Sequence, residues 1–138
     1  MTADSTPGRS VFDELMAEAT AGVAGFGHRE HVHLTWLAVR RLGIAAATDL
    51  VSNGIRETAR YAGAPQKYHV TMSRAWVELV AFHVAEADAE TFDEFAAHHR
   101  ALLDKRLLSR FYSSAVLAGP AARTRWVEPD RSPMPALA

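Results

Sequence analysis

Seven histidines and no cysteine occur among the 138 residues. Any transition metal held by this chain must therefore rely on imidazole nitrogen and oxygen donors, never on thiolate. His28 and His31 are three residues apart, a spacing that places both rings one turn apart on one side of a helix and lets them chelate one ion. At about 100° per residue they align with Val32, Thr35, Val39 and Leu42, while Arg29, His33 and Arg40 form a separate charged stripe. On a later candidate helix, His69 shares an apolar stripe with Met72, Trp76, Val80 and His83. Lys67, Thr71, Arg74, Glu78 and Ala85 form the opposite, polar or small stripe. If the starts of these two helices adjoin, His28, His31 and His69 converge at one end of the core. Such a three-imidazole site with open positions suits Zn(II) or Cu(II), and admits Fe. His83 lies ~21 Å farther along its helix, outside that shell.

Each of these residues also has a plain structural role to weigh. A buried histidine can simply hydrogen-bond in the core. His83 reads as a core residue beneath Trp76, and His33, His98 and His99 read as surface residues. Trp36, Trp76 and Phe82 read as packing, and Met72 as a space-filler. Around the candidate metal site, Lys67, Tyr68 and Asp104 are the candidate catalytic residues. Lys67 could bind a substrate carboxylate or phosphate at a helix start, or be a solvated cation. Tyr68 could donate a proton, or sit at the edge of the core. Asp104 could orient a ligating imidazole, or cap the helix that begins at Lys105. A His-Glu-x-x-His metalloprotease motif is absent, and no carboxylate is an obvious general base.

The elements that must position these groups are helices. Apolar residues recur at helical spacing over about Val11–Thr20 (capped by Ser10), His28–Leu42 (stopped by Gly43) and Ala45–Tyr61. They recur again over Tyr68–Ala87, Glu90–His99 (capped by Asp88) and Asp104–Tyr112. A last short helix starts near Ser114 and is interrupted at Gly119-Pro120. Asn53-Gly54 weakens the middle of the third helix. No period-two alternation is sustained. The expectation is an all-α, single-domain bundle of five to seven helices. A flexible N-terminus (1–10) precedes the helical domain (11–127), and a proline-rich extended tail or strap (128–138) follows it.

Composition narrows the function. Fifteen Lys+Arg against sixteen Asp+Glu is a poor match to a phosphate backbone, so no nucleic-acid partner is expected. No apolar run reaches the ~20 residues of a membrane span, and residues 1–10 lack a signal core, so a cytoplasmic protein without membrane association is expected. The absence of cysteine excludes disulfide scaffolds, zinc ribbons, iron–sulfur clusters and thiol nucleophiles.

Phe26-Gly27-His28-Arg29-Glu30-His31, Trp36 and Lys67-Tyr68-His69-Val70-Thr71 together resemble a family of small, uncharacterised all-helical bacterial proteins. The likeness continues through Leu102-Leu103-Asp104-Lys105, Phe111-Tyr112-Ser113, Ala122-Arg123 and Pro129-Asp130, covering nearly the whole chain. The resemblance implies the helical fold and directs attention first to His28, His31 and His69, then to Tyr68, Lys67, Thr71 and Asp104. It implies no reaction.

Two functions from different classes follow. One is a metal-dependent enzyme acting on a small-molecule substrate, its ion held by His28, His31 and His69. The other is a helical binding or regulatory module, engaging a protein partner or forming a homodimer through Leu34 and Leu37, with structural histidines. Noncovalent haem on His69, opposite His28 or His31, is a third option. Arg123 and Asp130 are expected to pin the tail across the bundle.

Overall fold

A computed structural model describes residues 7–86 and 88–135. Among them are seven α-helices and three 3-10 turns, with no strand: the expected all-α bundle. The helices are α1 (Pro7–Ala19), α2 (His28–Leu42), α3 (Ile44–Tyr61) and α4 (Val70–Glu86). They continue as α5 (Phe92–His98), α6 (Ser114–Ala118) and α7 (Pro120–Thr124). The 3-10 turns are Pro65–Lys67, Arg100–Leu103 and Lys105–Arg110. No described helix is long and apolar enough to cross a membrane. Of the expected N-terminal segment, residues 1–6 lie outside the described residues, as do 136–138 of the tail. Ser10 is inside α1 and does not begin it.

Local chemistry accounts for the boundaries. Glu30 accepts a hydrogen bond from the Gly27 N–H at 2.8 Å, closing the start of α2. Gly43 ends α2 with φ +83°, a left-handed value that favours glycine, and its N–H reaches Val39 O at 2.8 Å. Thr91, not Asp88, caps α5, its hydroxyl accepting from the Glu94 N–H at 3.1 Å. The expected helix from Asp104 is a 3-10 segment, Lys105–Arg110. Gly54 does not break α3. A Cβ there would overlap the Phe12 ring, so the glycine lets α1 press against α3.

α4 is the central element, packed against α2, α3 and α7. Thr71, Ser73, Ala75, Trp76, Val77, Leu79, Val80 and Ala81 are all buried along it, so it is covered on nearly every side. One core gathers Trp36, Trp76, Phe92, Phe95, Leu102 and Tyr112. The other gathers Phe12, Leu15, Leu34, Val51 and Val77. Leu34 has no exposed surface, which overturns its reading as an exposed position, while Leu37 is partly buried against both cores.

The stripe of Thr71, Arg74 and Glu78 is only partly solvated, because the chain after α7 buries Thr71 and packs on Arg74, which stays exposed. The Thr71 hydroxyl donates to Arg125 O at 2.8 Å and accepts from the Val127 N–H at 3.1 Å. The Arg74 guanidinium lies 4.1 Å from the centre of the Trp126 ring. The Tyr112 hydroxyl donates to Val127 O at 2.6 Å, and burial pushes its phenol up to about 12. Asp130 accepts from the Ser113 N–H at 2.8 Å, and Arg123 donates to Gln66 O at 2.8 Å. Of the two residues expected to pin the tail, Asp130 fastens the tail itself, while Arg123 docks α7 ahead of it.

Candidate metal centre

The histidines named from the sequence do not assemble. His28, at the start of α2, packs edge-on against Trp76, with ring centroids 4.5 Å apart. Trp76 lies seven residues beyond His69, about 10 Å along α4. The start of α2 therefore meets α4 two turns below His69, and the two helix starts do not adjoin. His28 Nε2 is 2.8 Å from Leu102 O, an acceptor, so it carries the proton. His69 spends both ring nitrogens: Nε2 is 2.8 Å from Leu117 O, and Nδ1 accepts from the Met72 N–H at 3.1 Å. It has no lone pair left for an ion. His31 lies partly buried beside Phe26 and His28, with ring centroids at 6.1 and 6.5 Å. Burial, then the neighbouring His28, pushes its imidazole down to about 4.

The three residues assigned to catalysis are dispersed. Lys67 ends the exposed Pro65–Lys67 turn. Tyr68 follows it, half-buried, its carbonyl 3.5 Å from an Arg123 nitrogen. Asp104 Oδ1 caps the Lys105–Arg110 segment through the Arg106 N–H at 2.9 Å. Its carboxylate also grips the Arg106 side chain at 3.1 and 3.2 Å, and these hydrogen bonds hold its carboxyl below the ordinary value. Capping, one of its two expected roles, is the one its hydrogen bonds show.

A different group does gather. At the far end of α4, His83 and Glu86 occupy successive turns of one face, and His99 immediately follows α5. Their ligating atoms lie within 4.8 Å of one another. Among the described residues, theirs is the group of three that could hold a metal ion. His83 Nδ1 is 2.8 Å from Glu86 Oε1. The His83 and His99 rings face each other with centroids 4.6 Å apart.

Two phenylalanines set the ring positions. Phe82 meets His83 edge-on at 5.2 Å, and Phe95 lies 4.9 Å from His99. The His99 N–H closes α5 by donating to Phe95 O at 3.0 Å, which fixes the backbone under its ring. Burial, followed by the nearby His83, lowers the His99 pKa, with Glu86 pulling the other way. A neutral imidazole with an available lone pair is the ligating form. The site is reachable from solvent: 27% of the His83 side chain and 48% of the Glu86 side chain are exposed.

Metal–ligand bonds of 2.0–2.2 Å place two donors on one ion no more than about 4.4 Å apart. The observed spacing needs a side-chain adjustment of under about 1 Å to meet that limit. This group departs from the sequence readings. His83 is partly exposed and faces His99 and is not sealed in the core under Trp76, His99 is partly buried where a surface residue was expected, and the cluster offers two imidazoles and a carboxylate instead of three imidazoles. Its signal was present as His83-Val84-Ala85-Glu86, an i, i+3 pair like His28 and His31. His99 had no local signal, because only the return of the chain through α5 brings it near. Comparison of the chain with protein-family models, characterised proteins and solved structures finds no match, so the candidate cluster rests on its own geometry.

Proposed function

We propose that the protein binds a single transition-metal ion on His83, Glu86 and His99 and uses it to act on a small molecule. The observation that carries this reading is the mutual approach of three donor atoms from two separate segments to within 4.8 Å. Two imidazoles and one carboxylate form a donor set common to Zn(II) and non-haem Fe(II) centres. That set leaves coordination positions free, and the exposure of Glu86 opens them to solvent or substrate. A bound ion would supply Lewis acidity to whatever completes its coordination. Phe82 and Phe95 would keep the two imidazoles aimed at it. Ligating imidazole and carboxylate groups bind an ion in their deprotonated form, so affinity is expected to rise with pH.

Untagged protein, stripped and then titrated separately with Zn(II) and Fe(II), tests the reading. Stoichiometric uptake that disappears in His99→Ala but persists in His69→Ala supports it. No uptake by folded wild-type protein, or uptake indifferent to His99→Ala, overturns it. A second reading, a helical binding module with structural histidines, draws on a specific observation. His28 and His69 each hold a main-chain carbonyl, as framework residues do.

A further inference from the structure

At the opposite end of α4 from His83, a groove of about 530 Å³ opens between α3, the Pro65–Lys67 turn and α7. The starts of the two sites along α4, Val70 and His83, are thirteen residues or about 20 Å apart. We propose that this groove binds a small organic oxyanion, a carboxylate or phosphomonoester carried on an apolar body.

The argument begins with charge. Two guanidinium side chains, Arg56 and Arg123, line the groove, and no acidic residue does. Each guanidinium offers five N–H donors in a fixed fork and no acceptor. Arg56 is held by Asn53 Oδ1 at 2.7 Å, a neutral acceptor on its own helix. One Arg123 nitrogen is held by Gln66 O at 2.8 Å, with Tyr68 O at 3.5 Å. Both contacts orient the guanidinium without cancelling its charge. An oxyanion between two such forks receives charge-assisted, geometrically matched hydrogen bonds.

The second element is the apolar wall. Pro65, Tyr68 and Val70 supply the apolar lining, with Gln66 and Thr124 as neutral polar neighbours, and more apolar than polar surface faces the groove. The tyrosine ring offers a flat surface beside the cations, suited to a ligand with an aromatic or aliphatic body behind its charged group. The volume falls in the range of small-ligand sites, roughly 300–1,000 Å³. The 57-residue separation of Arg123 from Gln66 shows how the cations are brought in. α7 closes over the turn, and the same hydrogen bond that docks the helix sets its guanidinium at the groove. This assigns a role to Tyr68 that the metal centre does not use. The groove and the metal centre share no residue, so each can fail alone.

Calorimetric and NMR titrations at low ionic strength test the proposal with phenyl phosphate, benzoate, inorganic phosphate and benzyl alcohol as probes. Expected is saturable binding of phenyl phosphate or benzoate with a Kd below about 1 mM, with resonances of Tyr68 and Arg56 shifting. Whichever of the two binds more tightly assigns the head group. Inorganic phosphate should bind more weakly, and benzyl alcohol should not bind. Arg56→Gln should weaken the best probe about tenfold or more, the loss of one charge-assisted hydrogen bond. Arg123→Lys keeps the charge and loses the fork, and should weaken it as well. Among the described residues Arg56 hydrogen-bonds within its own helix, so that variant is expected to keep its fold whatever happens at Arg123. No saturation at ~10 mM, equal binding of benzyl alcohol, or an Arg56→Gln variant that binds like wild type overturns the proposal.

Discussion

His69 at the start of α4 and His83 at its end carry the same side chain in opposite situations. The His69 ring is saturated: one nitrogen donates to Leu117 O, the other accepts from Met72 N–H. Among the described residues the His83 ring has one hydrogen-bond partner, the Glu86 side chain, and it faces a second imidazole. The first arrangement ties α6 to α4 and fixes a neutral tautomer. The second leaves donor atoms that a cation can take over. Burial alone does not separate them, since both rings are half-buried. What separates them is whether nearby main chain has already consumed the lone pairs. A carbonyl opposite an imidazole makes a strut, and a carboxylate opposite two imidazoles makes a candidate ligand set.

The largest expected effect breaks the ligand set directly. His99→Ala or Glu86→Gln should lower metal affinity by at least about 100-fold, read by competition with a chelating dye. His28→Ala and His69→Ala should leave the affinity of the remaining folded protein unchanged. Metal loss in those two variants instead would restore the original three-histidine assignment.

The complementary experiment concerns stability. His69→Ala leaves the Leu117 carbonyl and the Met72 amide without their partner, a loss of about 2–3 kcal/mol in urea denaturation. His83→Ala, half-exposed and bonded only to an exposed carboxylate, should lose less than about 1 kcal/mol in the absence of metal. Equal losses for the two variants would erase the distinction between strut and ligand.

His31 sharpens the same contrast through pH. Its folded pKa, about 4, lies below the ordinary value near 6.5, so the unfolded chain binds the extra proton first. The stability this residue contributes is complete above about pH 6.5 and is lost as pH falls toward 4. Allowing for partial solvent access, the loss is about 2 kcal/mol between pH 7.5 and 4.5. Urea midpoints at the two pH values should differ less in His31→Leu than in wild type. An identical pH dependence would show that His31 is not held neutral. The smallest effect belongs to Asp104→Ala, which removes an exposed cap. The Tm should drop by a few degrees at most, with metal uptake unchanged.

Helix positions were legible because their causes are local. Gly43 ends α2 where a left-handed residue is needed, and the run from His28 to Leu42 was read to its observed bounds. Faces were harder. The rotation puts His69 and His83 on one side of α4, but that side is not uniquely the buried one, because the tail also buries Thr71 on the opposite side and packs on Arg74. The candidate ligand set was hidden for a related reason. His98 and His99 are neighbours in sequence, and only the fold of α5 back towards the end of α4 brings His99 beside His83. Asp104 was readable in part, since capping was one of its two named roles.

The hydroxyl of Thr71 has no exposed surface and takes both its partners from residues beyond α7, one of them 56 positions later in the chain. During synthesis at about 5–20 residues per second, α4 is complete several seconds before Arg125 and Val127 exist. Until they arrive, the central helix carries a polar group and an apolar flank that nothing covers. The bundle therefore cannot finish folding from its N-terminus onward. A stalled or truncated chain ending before Arg125 would present that open seam to chaperones and proteases, which makes docking of the tail the step that distinguishes a completed molecule from an aborted one.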